Sequence, residues 1–207
     1  MLPLSLLKLK TKHKDMKKFI ITGLSAICLL IFNPAHAQDD DKVNFSKEEL
    51  KFSKTDASPM DLALYRDKND VAVARVIYSR PQKRNREIFG KLIPYGEVWR
   101  TGANEATELT LYQDMKVADA TIKAGTYTLY SIPGEKEWTV ILNSKTNTWG
   151  AYEYTDKEDK VRINVPVRQA PNTIESLSMA FQESNNGADL LIGWDDSYVK
   201  VPFKEVK

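Results

Sequence analysis

The chain has 207 residues, of which 42% are hydrophobic and 28% charged, with a formal net charge of +2. Its one cysteine, Cys28, and its two histidines, His13 and His36, all precede residue 38. The rest of the chain, from residue 38 onward, has the size of one domain with short appendages and contains neither cysteine nor histidine. It therefore cannot form a Ser-His-Asp triad, a cysteine nucleophile, a disulfide or a thiolate or imidazole metal site. We predict no cofactor and no metal.

The N-terminal segment contains the three parts of an export signal in the expected order. Met16-Lys17-Lys18 is positively charged, the run 19–32 is mostly apolar, and Ala35-His36-Ala37 places small residues before Gln38. The apolar run is about fourteen residues long, whereas a membrane span needs about twenty. We therefore predict a leader over residues 1–37, cut between Ala37 and Gln38.

Two consequences follow from this leader. A complete signal begins at Met16, so we predict that the signal peptide is residues 16–37. For the same reason the true start of the protein could be either Met1 or Met16. Removing the leader's six lysines and one aspartate leaves 24 basic and 27 acidic residues, a net charge of about −3. A mildly acidic chain does not favour nucleic-acid binding, and we expect a periplasmic or secreted protein with no membrane segment after cleavage.

Residues 38–56 are polar and charged, which predicts a linker before the domain. Ser46 and Glu49 have the spacing of a capping box, so residues 47–52 could form one short helix.

From residue 57 to 207 the sequence alternates between apolar and polar positions at a period of two, the pattern of strands. Pro133-Gly134 and Asn185-Asn186-Gly187 predict hairpin turns, and Asp195-Asp196-Ser197 predicts a further turn. About eight or nine short strands with closely spaced turns predict an antiparallel β-sandwich. The predicted strands are 71–78, 109–113, 126–130, 138–142, 161–165, 177–181, 188–194 and 198–203.

Residues 80–107 interrupt this alternation. The stretch contains several large apolar residues, so we expect a long loop that packs against the sheets, with a single helical turn at 89–93.

The same stretch carries a resemblance. The blocks Ile93-Pro94-Tyr95-Gly96-Glu97-Val98-Trp99-Arg100-Thr101-Gly102-Ala103-Asn104-Glu105, Ala124-Gly125-Thr126-Tyr127, Ile132-Pro133-Gly134 and Trp138-Thr139-Val140-Ile141 resemble a family of exported bacterial proteins, domain of unknown function 2911. The resemblance spans about residues 57 to 205. It implies an exported β-rich domain and no particular activity.

The segment from Trp99 to Glu105 is the best candidate site. Arg100 offers a planar fork of donors suited to carboxylates and phosphates, and Asn104 and Glu105 add polar groups in the same loop. With Arg80 and Glu97 close in sequence, this segment could line an anion or sugar pocket. The alternative is structural, with Arg100 paired to Glu97 or Glu105 so that the loop is fixed to the sheet.

Aromatic residues provide a second candidate, a platform on which a sugar could stack. Trp138 and Trp194 alternate with core positions and are expected to be buried, whereas Trp149 and Tyr152 are less constrained.

Three functions fit these observations. The first is an exported, non-catalytic binding or accessory protein of the bacterial envelope, with a glycan or envelope component as its partner. The second is a carboxylate-dependent hydrolase centred on Glu97, Arg100 and Glu105. The third is a structural subunit of an envelope complex. The sequence does not predict an oligomeric state.

Overall fold

The structure, a computed structural model, describes residues 52–206, so the expected leader and most of the predicted short helix at 47–52 lie outside the described residues. Ten strands and one 3₁₀ turn, Asp156–Glu158, make up the regular structure of that part. The strands are β1 (Met60–Arg66), β2 (Ala72–Ser79), β3 (Glu108–Leu111), β4 (Met115–Val117), β5 (Ala120–Ile122), β6 (Gly125–Ile132), β7 (Glu137–Asn143), β8 (Asp159–Pro166), β9 (Arg168–Ser184) and β10 (Gly187–Glu205).

The strands form two sheets. One has six strands in the order β1-β2-β3-β6-β7-β8, and the other has four in the order β5-β4-β10-β9. All pairings between these strands are antiparallel. The predicted all-β antiparallel sandwich is confirmed, with ten strands in place of the eight or nine expected. Among the described residues, no helix has the length and apolarity needed to cross a membrane.

The core lies between the sheets, where the alternating apolar side chains of both meet. Leu109 and Trp138 come from the larger sheet, and Leu190, Trp194 and Phe203 come from the smaller one. Trp138 and Trp194 are each only 1% exposed, which confirms their predicted place in the core. Burial of side chains of this size supplies most of the favourable free energy of such a fold.

Two hairpins confirm the predicted turns. The strands β6 and β7 pair across the connection that contains Pro133-Gly134, and β9 pairs with β10 across Asn185-Asn186. The prediction of a turn at 195–197 is wrong, because β10 continues through it as one strand. The register with β9 shifts there, and Asp195 takes a positive φ of 58°. An irregularity of this kind bends a strand without ending it.

The long connection 80–107 packs against the sheets as expected. Ile88 is fully buried, and the Phe89 ring lies 4.8 Å from that of Trp138 between centroids. The predicted helical turn at 89–93 is absent. The backbone instead makes a wider turn, in which the N–H of Ile93 donates to the carbonyl of Ile88 at 2.8 Å.

Candidate functional site

Arg100 projects from a backbone segment that is fixed on both sides. Trp99 and Ser131 exchange two backbone hydrogen bonds, at 2.7 and 2.9 Å, so the connection adds a short bridge beside β6. The N–H of Thr107 donates to the carbonyl of Arg100 at 3.1 Å. The position of the Arg100 backbone is therefore set by the sheet and not by a free loop.

Thr101, the next residue, is strained. It is fully buried with a φ of 52°, a left-handed conformation that is unfavourable for a β-branched side chain. The surroundings hold it there. Its Oγ1 lies 2.9 Å from Ser131 Oγ, and its carbonyl accepts a hydrogen bond from Thr107 Oγ1 at 2.9 Å. Backbone strain held in this way by its neighbours is found preferentially at functional sites.

Within the described part of the chain, the guanidinium of Arg100 has no hydrogen-bond or ion-pair partner. Its Nε is buried and has no hydrogen-bond partner. None of the ion pairs between described residues includes Arg100. The predicted structural pairing of Arg100 with Glu97 or Glu105 is therefore not formed within residues 52–206. A buried donor without an acceptor costs about 1–3 kcal/mol.

Two clefts meet at Arg100. The first has a volume of about 320 Å³ and the second about 430 Å³. Both are lined by Leu92, Ile93, Trp99 and Arg100, so they adjoin across these four residues. A ligand in either cleft would therefore be within reach of the same guanidinium.

The first cleft is basic. Arg84, Arg86 and Arg100 line it together with Trp99 and Trp194, and no carboxylate is among its lining residues. Three arginines around one cleft favour a bound anion, and the guanidinium of Arg86 also donates to the backbone carbonyls of Gln82 and Lys83. We name this space the arginine cleft.

A tight turn presents two of these arginines. Arg84 and the following Asn85 have positive φ values of 49° and 59°, and the N–H of Arg86 donates to the carbonyl of Lys83 at 3.1 Å. The Arg84 N–H donates to the Glu175 carboxylate at 2.9 Å, which ties the turn to β9. Our sequence analysis did not name Arg84 and Arg86. The signal that could have found them is the basic run at 83–86, directly ahead of the recognisable segment.

The second cleft has a different character, because it is lined by Glu97 and Tyr152 as well as Arg100. We name it the tyrosine cleft. Tyr152 is 84% exposed. It approaches Arg100 over Gly150, which has a φ of +68°. A Cβ there would lie 2.7 Å from Tyr152 Cε2 and 3.1 Å from Arg100 Nη1. Glycine at 150 is thus what allows the ring and the guanidinium to flank this turn.

Arg80 lies outside both clefts and fixes the sheets to one another. It donates from Nε to the carbonyl of Leu177 at 3.1 Å, from Nη1 to Asp61 Oδ2 at 2.9 Å, and from Nη2 to Ser178 Oγ at 2.9 Å. Each of its three guanidinium nitrogens donates to a protein group. Of the predicted site residues, Arg80 is the one whose geometry is that of a structural residue.

Asn104 supports the rim of the arginine cleft and not its interior. Its Nδ2 donates to Asp56 Oδ1 at 3.0 Å, and the same oxygen accepts from the N–H of Ser58 at 2.7 Å. The hydrogen bond from Ser58, followed by that from Asn104, lowers the pKa of the Asp56 carboxyl from its ordinary value of 3.8. This contact holds the chain at 56–58, where Ala57 and Ser58 line the cleft.

Glu105 and Trp149 are neighbours, joined by an isolated antiparallel backbone bridge. Glu105 lines a separate cleft of about 220 Å³ beside β2. Trp149 is 58% exposed and lines neither the arginine cleft nor the tyrosine cleft. The structure therefore brings Glu97, Trp99, Arg100 and Tyr152 together, and separates Glu105 from Glu97. Among the described residues, no three metal-ligating side chains come together.

Comparison with known proteins gives one relationship. No curated protein and no solved structure matches the chain. The family model described as Protein of unknown function (DUF2911) matches residues 58–203, which span the recognised blocks and all ten strands except the last two residues of β10. The chain therefore belongs to the DUF2911 family.

Proposed function

We propose that this protein is an exported, non-catalytic binding protein whose ligand carries a negative charge and enters the arginine cleft. The observation that carries the proposal is the guanidinium of Arg100, which has a buried Nε without a partner and no ion pair within the described residues. Arg100 is half-buried and lines both clefts, so an anionic ligand bound there would supply the missing opposite charge. Charge-assisted hydrogen bonds from arginine to a carboxylate or phosphate are among the strongest available to a protein.

The neighbouring residues support the same reading. Arg84 and Arg86 add positive charge to the cleft, and Trp99 and Trp194 are the aromatic residues in its lining. The ligand is thus expected to present its anionic group to these arginines.

A binding role is preferred over hydrolysis because of where the carboxylates lie. Glycoside hydrolysis needs two carboxyl groups on either side of one bond. Glu97 lines the tyrosine cleft, whereas Glu105 lines the separate cleft beside β2. No observation favours the structural-subunit alternative.

Titration calorimetry and thermal melting with D-glucuronate and inorganic phosphate test the binding proposal. D-glucose serves as the neutral control, since it differs from D-glucuronate only in having a hydroxymethyl group in place of the carboxylate. We expect both anions to bind, with affinity that falls as salt is added, and the glucose control to give no heat. At a ligand concentration of 100 times Kd, the stabilisation would be about 2.7 kcal/mol. No binding by either anion, or unchanged binding in Arg100→Ala, would refute the proposal.

The export part of the proposal has its own test. Intact mass measurement of the protein recovered outside the cytoplasm is expected to show Gln38 as the first residue. A mature chain that still contains His36 would contradict both the cleavage site and the absence of imidazole from the mature chain.

A further inference from the structure

We infer that the ligand is an oligosaccharide with one acidic sugar at its end and neutral sugars beyond it, an inference that rests on the proposed function. The acidic sugar occupies the arginine cleft and the first neutral sugar occupies the tyrosine cleft. The two clefts share Arg100 and three apolar neighbours, so one chain of sugars can cross from one to the other.

The first argument is the unequal charge of the two clefts. Arg84, Arg86 and Arg100 line the arginine cleft without a carboxylate, whereas Glu97 lines the tyrosine cleft with Arg100 as its one basic residue. A second acidic group placed beside Glu97 would be repelled by a like charge. A ligand with a single charged end therefore fits better than a uniform polyanion.

The second argument is the chemistry of the neutral end. The Tyr152 side chain is 84% exposed and lines the tyrosine cleft, so its ring is accessible to a ligand there. Its face offers an apolar surface to the C–H groups of a sugar, and its hydroxyl offers a hydrogen bond. Glu97 is also exposed, and its carboxylate oxygens accept hydrogen bonds from sugar hydroxyls.

The third argument is the position of Tyr152 and Arg100 beside the turn at Gly150. Tyr152 Cε2 and Arg100 Nη1 both lie close to the position that a Cβ on Gly150 would take. The N–H of Gly150 donates to the carbonyl of Asn104 at 3.0 Å, which holds the turn in place. The backbone of this turn is thus held in place, with the Tyr152 ring and the Arg100 guanidinium both beside Gly150, as recognition of two adjacent sugars requires.

Calorimetry with four sugars tests the inference. The probes are free D-glucuronate, a trisaccharide with one terminal glucuronate on two neutral sugars, the all-neutral trisaccharide, and a trimer of uronic acids. We expect the mixed trisaccharide to bind about tenfold more tightly than glucuronate, and more tightly than the uronic acid trimer. The neutral trisaccharide should not bind. Glu97→Gln should improve binding of the uronic acid trimer selectively, because it removes the repelling charge.

A pair of tyrosine variants locates the neutral sugar. Tyr152→Ala should weaken the mixed trisaccharide about two- to tenfold, the range of an aromatic contact, and leave glucuronate binding unchanged. Tyr112→Ala is the matched control, because Tyr112 is also exposed and lines neither cleft. It should change neither affinity.

The outcomes separate the two proposals. If neither glucuronate nor phosphate binds, the proposed function itself is wrong, whereas binding of phosphate without glucuronate overturns only the inference. If glucuronate binds through Arg100 but the mixed trisaccharide binds no more tightly, or Tyr152→Ala has no effect on it, only the inference is overturned. Tighter binding of the uronic acid trimer than of the mixed trisaccharide would also overturn it. Tighter binding of a short peptide than of the mixed trisaccharide would overturn the inference as well, since the free amino group and free carboxylate of a peptide would pair with Glu97 and Arg100.

Discussion

Truncation of two arginines, each to alanine, separates binding from stability in this fold. Arg80→Ala and Arg100→Ala remove the same side chain and the same charge. Arg80 donates three hydrogen bonds to protein groups, whereas Arg100 has no side-chain partner among the described residues. We expect Arg80→Ala to destabilise the protein without affecting ligand binding, and Arg100→Ala to do the reverse.

The loss at Arg80 can be estimated bond by bond. The hydrogen bonds to the Leu177 carbonyl and Ser178 Oγ contribute about 1 kcal/mol each. The ion pair with Asp61 has side chains that are 36% and 42% exposed, so solvent limits it to about 0.5–1 kcal/mol. The total of about 2.5–3 kcal/mol corresponds to a fall in Tm of roughly 5–12 °C for a domain of this size.

We expect Arg100→Ala to change the stability of the protein less than Arg80→Ala does, because favourable and unfavourable contributions nearly cancel. Truncation loses some packing of the aliphatic stem, but it removes a buried donor that has no acceptor and one of three like charges in the arginine cleft. We expect the free energy of unfolding to change by no more than about 1 kcal/mol, and the affinity for glucuronate to fall by at least tenfold.

Thermal melting with and without glucuronate measures both effects on the same samples. The expected pattern is a large fall in Tm with a retained ligand shift for Arg80→Ala, and a small change in Tm with a lost ligand shift for Arg100→Ala. A fall of more than about 8 °C in Arg100→Ala with no change in ligand response would show that Arg100 is a structural residue, and the reasoning would be refuted.

Three further predictions test the fold and the rim of the site. Trp138→Ala should cost about 3–5 kcal/mol in denaturant unfolding, because Trp138 is 1% exposed; a cost below 1 kcal/mol would contradict its place in the core. Gly150→Ala should weaken trisaccharide binding, because the new Cβ would lie 2.7 Å from Tyr152 Cε2 at a positive φ; unchanged calorimetry would show that the turn can adjust. Asn104→Ala should raise the pKa of Asp56 towards 3.8 without reaching it, since a backbone N–H still donates to that carboxylate. Because the folded-state pKa of Asp56 is lowered, its contribution to stability is present above pH 3.8 and lost as the pH falls through the lowered value. Asn104→Ala should therefore move that loss to higher pH, and an unshifted carboxyl resonance in an NMR titration would contradict this.

The strands that could be predicted are those whose burial follows the apolar pattern. The alternating residues of β7 and β8, and the core positions of Trp138 and Trp194, follow directly from period two. The strand β1 was missed because its larger apolar residues face outward: Met60, Leu62 and Leu64 are exposed, whereas Ala63 and Tyr65 face the core. An edge strand with this inverted pattern gives no clear signal of which side is buried.

The rest of the fold depends on contacts that are distant in sequence. Residues 195–197 have turn chemistry, yet β10 continues through them. Lys83 Nζ lies 2.7 Å from Asp195 Oδ2, an ion pair that joins the long connection to the irregular part of the strand. No local pattern contains the information that residue 195 has a partner 112 positions away.

The candidate site was predicted only in part, because some of its residues are also brought together by contacts distant in sequence. Arg100 and Trp99 were found because they lie in a distinctive segment, and Glu97 and Tyr152 do line a cleft with them. The grouping of Arg84 and Arg86 with Arg100 arises only when the turn at 83–86 is tied to β9 through Glu175. Nearness in sequence was misleading for Glu105, which is five residues from Arg100 and lines a different cleft.

A strained backbone conformation and a buried side-chain nitrogen without a partner occur side by side at Arg100 and Thr101. Thr101 is the one β-branched residue with a positive φ among the described residues, at a cost of about 1–3 kcal/mol. Arg100 beside it has one of the two buried side-chain nitrogens without a partner in that part of the chain. Arg84, which also lines the arginine cleft, has a positive φ of 49°. A sandwich stabilised by packing alone gains nothing from these features, since a hydrophobic residue at 100 and a glycine at 101 would remove both costs. Departures from local preference that cluster in this way are expected where a ligand, and not the fold, determines the residues. Arg100 is therefore a better starting point for a ligand search than the exposed aromatic residues alone.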